Sequence, residues 1–201
     1  ASTLKVIHNL LLAHGLAVKN FRNNNFTGKI GIKLDRQYYE PFDLNSTQDA
    51  YAKRHFDELY FESFGDTIMF GDYPSSYYSI LNKLGSDVLV TKKDLDIISQ
   101  KIDFIGLNYY TRQYIKYDEI TPLNFSTHWS KESEDILNKE TEFYQWEDYP
   151  EGLYKTLIYL SKRYGGIPIF VTENGKGTGK EVIENNKIKD GYRIRYLEQH
   201  I

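Results

Sequence analysis

Apolar residues at Leu4, Ile7, Leu11, Leu12, Leu16 and Val18 recur at helical spacing behind a Ser2 or Thr3 cap. They predict a first helix that ends near Phe21, before the run Asn23, Asn24, Asn25. His8 and His14 fall in it six residues apart, off a common face, which fits packing histidines better than a metal pair. Lys29 to Leu34 then alternates apolar and polar and is entered through Gly28, the pattern of a strand. Tyr38 to Pro41 reads as a loop, and Ser46 with Asp49 three residues on caps a long helix to about Phe64, stopped by Gly65. Phe70 to Pro74 reads as a turn, Ser75 to Leu84 as a short helix, and Thr91 with Asp94 as the cap of another.

Two stretches stand apart because each is an apolar run that stops abruptly on polar groups. Ile102 to Asn108 leads into Tyr109 and Tyr110, and Ile167 to Val171 leads through Thr172 to Glu173, Asn174 and Gly175. Both read as strands, the second buried on both faces as parallel strands under helices are. Between them, residues 111–149 are polar and without clear periodicity, too long for an ordinary connection, and read as a functional loop that holds Trp129 and Trp146. Pro150 opens a helix to Tyr164 that Gly165 and Gly166 end, and Asp190 starts a last helix through Leu197. The alternation of strand and helix needs a parallel sheet and defines an α/β chain, read as one domain over residues 1–201. A carboxylate at the end of a buried strand sits at the rim where such folds keep their chemistry. Spacing alone leaves Glu173 open between that role and a charge capping a turn.

Composition narrows the partners. A net charge of -3, with Lys and Arg scattered, gives no basic footprint for nucleic acid. The apolar runs are too short to cross a bilayer. The absence of cysteine removes disulfides, thiolate catalysis and cysteine zinc sites and favours the cytosol. Aromatics are abundant, with 18 Tyr, 11 Phe and 2 Trp. They fit either an aromatic-rich core or a cleft whose ring faces stack on sugar C–H faces.

Taken in order, HNLLLAHGLAVK, GKIGI, YEPFD, FGDYP, DFIGLNYYT, the W.DYPEGL segment from Trp146, FVTENG and DGYRIRYL resemble the retaining β-glycosidases of glycoside hydrolase family 1, especially the β-glucosidases. The resemblance covers essentially the whole chain. It implies a portion of a (β/α)8 TIM barrel, about strands 5 to 7 with flanking helices. The early strands and strand 8 are then not in this chain, since such a barrel takes roughly 200 to over 400 residues. The resemblance makes Glu173 the catalytic nucleophile, Tyr110 the hydroxyl that orients it, and Asn108 and Trp146 substrate-binding residues, Trp146 at the leaving-group side. Asn108, where relatives acting on phosphorylated glycosides carry Ser, favours a plain glycoside.

A retaining mechanism needs a second carboxyl about 5 to 5.5 Å from the nucleophile. The family supplies it from an Asn-Glu-Pro motif that does not occur here. Glu40, Asp72, Glu142 and Glu147 lie near loops, with nothing in the sequence to set any of them opposite Glu173, and read as solvated charges. The expected ligand is a β-glucoside or oligosaccharide with terminal glucose, or galactose. No metal or organic cofactor is expected, since carboxylates alone do the chemistry. Exposed edges of strands 5 and 7 would need the remaining barrel segments, or self-association, to cover them. The implied upstream segment keeps a secreted origin open beside the cytosol. The alternative to an enzyme segment is a remnant that only binds sugar or packs against a partner.

Overall fold

The computed structural model describes residues 2–86, 88–130, 146–177 and 183–201. Helix α1 (Ser2–Asn23) buries Leu4, Leu11 and Val18, one residue every second turn, and lies against α5 (Lys92–Ile98). The approach is close: a Cβ on Gly15 would stand 2.0 Å from the Ile97 carbonyl oxygen. Thr91 and Asp94 form the expected capping box of α5. His8 is buried, with Nδ1 3.0 Å from the Tyr73 hydroxyl and Nε2 3.7 Å from Asp94. Burial lowers the pKa of His14. Both are packing histidines.

The strands β1 (Gly31–Asp35), β3 (Phe104–Asn108) and β6 (Ile169–Glu173) form a parallel sheet in the order β1-β3-β6, the arrangement that βα alternation requires. β3 is central, and its Ile105, Gly106, Leu107 and Asn108 are buried. β6 departs from expectation. It is an edge among the described strands, and Phe170 and Val171 are 53% and 42% exposed. The apolar run records what the strand is built to bury, whereas the burial of Phe170 and Val171, which point to opposite faces, depends on elements packed over both faces of the sheet.

A second sheet replaces two segments read as loop. β2 (Tyr38–Pro41) pairs in parallel with β4 (Arg112–Tyr117), which pairs antiparallel with β5 (Phe125–His128). These strands are short, with only Ile115 of β4 and Phe125 of β5 buried, so the sequence carries little periodic signal for them. Cross-strand partners more than 70 residues apart decide the pairing of β2 with β4. Of the stretch read as a functional loop, residues 131–145, including Glu142, lie outside the described residues.

Ser46 caps α2 (Thr47–Asp57) by accepting from the Asp49 amide, as expected. Gly65 does not stop the helix. The chain continues through a π-helical turn at Glu58–Glu62 into α3 (Ser63–Phe70) and ends at Gly71, whose φ of 74° is the left-handed cap. Gly65 serves packing instead, because a Cβ there would lie 2.1 Å from the Tyr164 hydroxyl. The opposing helix is α6 (Pro150–Arg163), begun by Pro150. It ties to the π turn through Glu62, 1% exposed, which accepts from Arg54, Tyr159 and Arg163. Arg163 also pairs with Asp66. α4 (Ser75–Lys83) follows the Phe70 to Pro74 turn as expected. A two-residue hairpin, β7 (Ile183–Glu184) and β8 (Lys187–Ile188), turns through left-handed Asn185 and Asn186 and precedes α7 (Gly191–His200).

Much of the aromatic content is core. Tyr77, Tyr109, Tyr196 and Phe61 are almost fully buried, and Tyr73 stacks on Tyr77 at 3.9 Å between ring centroids.

Candidate active site

The C-terminal ends of β1, β3 and β6 bring Asp35, Asn108 and Glu173 level with one another, Asp35 opposite Asn108 and Asn108 opposite Glu173. The second pairing depends on a shift of register. Leu107 faces Val171, yet Asn108 faces Glu173, so Thr172 is an extra residue in β6. Such a bulge re-aims the side chain that follows it. Thr172 Oγ1 donates to Asn108 Oδ1 at 2.8 Å, which leaves the Asn108 amide nitrogen as donor toward Glu173.

The Tyr110 hydroxyl donates to Glu173 Oε2. Lys33 Nζ lies 3.8 Å from Oε1, with both side chains about half exposed, a geometry of small energetic weight. The Tyr110 bond first, and the Asn108 bond second, hold the Glu173 carboxyl below the usual glutamate range. The same bond, more than burial, pushes the Tyr110 phenol up to about 12. Asp35 moves the other way: burial raises its pKa and the Glu173 charge adds to the rise, against the Gln37 bond and Lys33. Two carboxyls at one sheet edge thus have opposed proton affinities.

Trp146 packs beside Tyr110, with ring centroids 5.1 Å apart, and Trp129 stacks on Trp146 at 6.4 Å and 23°. The four residues singled out from the sequence, Asn108, Tyr110, Trp146 and Glu173, therefore lie together. Support comes from residues that sequence reasoning missed. Tyr196, buried in α7, donates its hydroxyl to the Tyr110 carbonyl at 2.7 Å and accepts from Asn174 Nδ2 at 3.0 Å. Gln37 accepts from the Tyr110 and Thr111 amides. Lys33, Asp35 and Gln37 follow the GKIGI strand, and their nearness to its end was the available signal.

The alternative acids are engaged elsewhere. Glu40 and Glu147 both pair with Arg112, at 2.9 Å and 2.5 Å, and Arg112 lies 3.9 Å above the Tyr149 ring. Glu147 is buried rather than solvated, because the guanidinium and the Thr111 hydroxyl fold its segment inward. Asp72 accepts from the Tyr78 hydroxyl at 2.6 Å and the Tyr73 amide at 2.8 Å. Among the described residues no cluster of three or more His, Cys, Asp or Glu could hold a metal ion, and no helix is long and apolar enough to cross a membrane.

The C-terminal edge of a parallel sheet is where (β/α)8 barrels place their chemistry, and the Glu173–Tyr110 pair lies there. The sequence model of Glycosyl hydrolase family 1 matches residues 1–201, and the chain belongs to that family. β-Glucosidase A of Acetivibrio thermocellus is 37% identical over 201 residues, covering all of this chain and 44% of the relative. The structure of a family 1 β-glucosidase from Thermotoga maritima superposes with a TM-score of 0.80 at 31% identity, over 96% of this chain and 42% of that one. A Thermotoga maritima family 1 glycoside hydrolase complexed with a cyclophellitol analogue transition state mimic gives 0.78 at 33% identity, over 96% and 41%. The chain thus spans less than half the length of these relatives, and its fold is a portion of their (β/α)8 barrel, about strands 5 to 7.

Proposed function

We propose that this chain contributes the nucleophile half of a retaining β-glucosidase site, acting on terminal β-linked glucose, or galactose, in β-glucosides and oligosaccharides. The observation that carries the reading is the Tyr110–Glu173 hydrogen bond at the C-terminal edge of the sheet, in a chain of this family. Relatives named β-glucosidases support the substrate class.

In this reading Glu173 attacks the anomeric carbon, and the leaving oxygen takes its proton from a second carboxylic acid. Water then cleaves the glycosyl ester, deprotonated by the same second carboxyl. The nucleophile must be ionised, which the Tyr110 and Asn108 donors favour. Tyr110 holds Oε2, and Oε1 lies on the Lys33 side. Asn108 also meets the sugar, and Trp146 with Trp129 behind it forms the platform for the leaving group. The acid partner comes from outside this chain, from the barrel segments that complete the domain.

The test uses the full-length protein that carries this segment, with a chromogenic aryl β-glucoside and a slow fluorosugar substrate. Turnover lost in Glu173→Gln, with the fluorosugar mass found on the peptide holding Glu173, is the expected result. Turnover retained in that variant, or a label on another residue, overturns the assignment.

A further inference from the structure

We propose that Gln37 is a positioning residue of this site, clamping the backbone amides of Tyr110 and Thr111 so that the Tyr110 hydroxyl is held on Glu173. The proposal deepens the reading of Glu173 given above and rests on it.

The need for a clamp follows from where the strands end. β3 stops at Asn108, just before the chain turns toward β4. Beyond β1, the Arg36 amide donates to the Asn108 carbonyl at 3.0 Å and the Tyr38 amide to that of Thr111 at 3.1 Å. The Tyr110 and Thr111 N–H groups find their acceptor in a side chain. Gln37 Oε1 accepts both, at 3.0 Å and 2.9 Å, using its two lone pairs as a backbone carbonyl pair would. Its Nε2 donates to Asp35 Oδ1 at 3.3 Å, which fixes the orientation of the amide.

The other side of the same peptide is also held. Tyr196 donates to the Tyr110 carbonyl, so residue 110 is gripped at its N–H from the β1 side and at its C=O from α7. A ring anchored in this way delivers its hydroxyl to one place, and misplacement by about 1 Å is enough to weaken a site hydrogen bond strongly. Tyr109, whose amide donates to the Glu173 carbonyl at 3.0 Å, keeps β6 at the same level. The groups facing the Glu173 carboxyl are Lys33 and Asp35 from β1, Asn108 and Tyr110 from the end of β3, and Thr172 by way of Asn108 on β6 itself. Gln37 acts on that set without touching the carboxyl.

The test compares Gln37→Met, Tyr110→Phe and the double variant in the full-length protein. The Glu173 carboxyl titration is followed by NMR with carbon-13 glutamate and assigned with Glu173→Gln. Gln37→Met is expected to raise the midpoint toward that of Tyr110→Phe, and the double variant to match Tyr110→Phe alone. kcat falls with it by roughly 10-fold, the scale of one hydrogen bond to a charged group, while KM changes little. Amide exchange at Tyr110 and Thr111 provides a separate readout: protection is lost in Gln37→Met. A wild-type midpoint in Gln37→Met, a shift that adds to that of Tyr110→Phe, or unchanged exchange overturns the proposal. The titration and exchange are read without turnover, so an error in the role of Glu173 shows separately, as activity retained in Glu173→Gln.

Discussion

Tyr110 and Glu173, 63 residues apart, meet across the β3–β6 seam, the phenol donating to the carboxylate at the open end of the sheet. The bond holds the carboxyl low and the phenol high, the protonation states that the proposed donor–nucleophile pair needs.

Tyr110→Phe removes that donor. The Glu173 pKa rises toward the ordinary value of about 4.3, and the acid limb of kcat/KM moves to higher pH by the same amount. Because the folded-state pKa is depressed, the associated stability is present above the unfolded pKa and lost as pH falls through the folded one. The variant is thus less sensitive to acid in that window. Its kcat falls by about 10- to 100-fold, the range for hydrogen bonds to charged groups, and pH–rate profiles of the full-length protein check both effects.

Gly65→Ala introduces a methyl group 2.1 Å from the Tyr164 hydroxyl, which itself donates to Asp66 at 3.0 Å. Helix propensity favours Ala by about 1 kcal/mol, but overpacking costs about 1–3 kcal/mol and also displaces that hydrogen bond. Net destabilisation is expected in urea unfolding. Pairing the substitution with Tyr164→Phe, which removes the clashing oxygen, should recover part of it.

Glu62→Gln breaks a junction between the π turn and α6. Glu62 is buried, whereas Arg163 and Arg54 reach solvent. The loss is therefore expected at or below the lower end of the ~3–5 kcal/mol seen when one partner of a fully buried pair is removed. Urea midpoints read the effect. Asp66 remains on Arg163, so the helix stays docked.

The edge at β6 leads to a prediction about the isolated 201-residue chain. Phe170 and Val171 stand exposed on a strand with an unpaired outer side among the described residues, and such edges template pairing between chains. Light scattering is expected to show concentration-dependent association, reduced in Phe170→Lys. A monodisperse monomer at all concentrations would count against it.

The chain itself determined the larger part of the architecture. Helix caps at Ser46 and Thr91, the apolar runs ending at Asn108 and Glu173, and Pro150 at a helix start are local signals, decided by neighbours a few residues away. The motif order carried the family and, by resemblance, the four residues proposed for the site. Tertiary structure decided what depends on distant partners. β2 and β4 are strands because they pair with each other, not because their periodicity is strong. Gly65 is a contact rather than a stop because Tyr164 arrives against it. The bulge at Thr172 brings Glu173 level with Asn108, and Gln37 reaches two amides more than 70 residues along the chain. Register and side-chain reach are properties of strands laid side by side, and no spacing within a single segment encodes them.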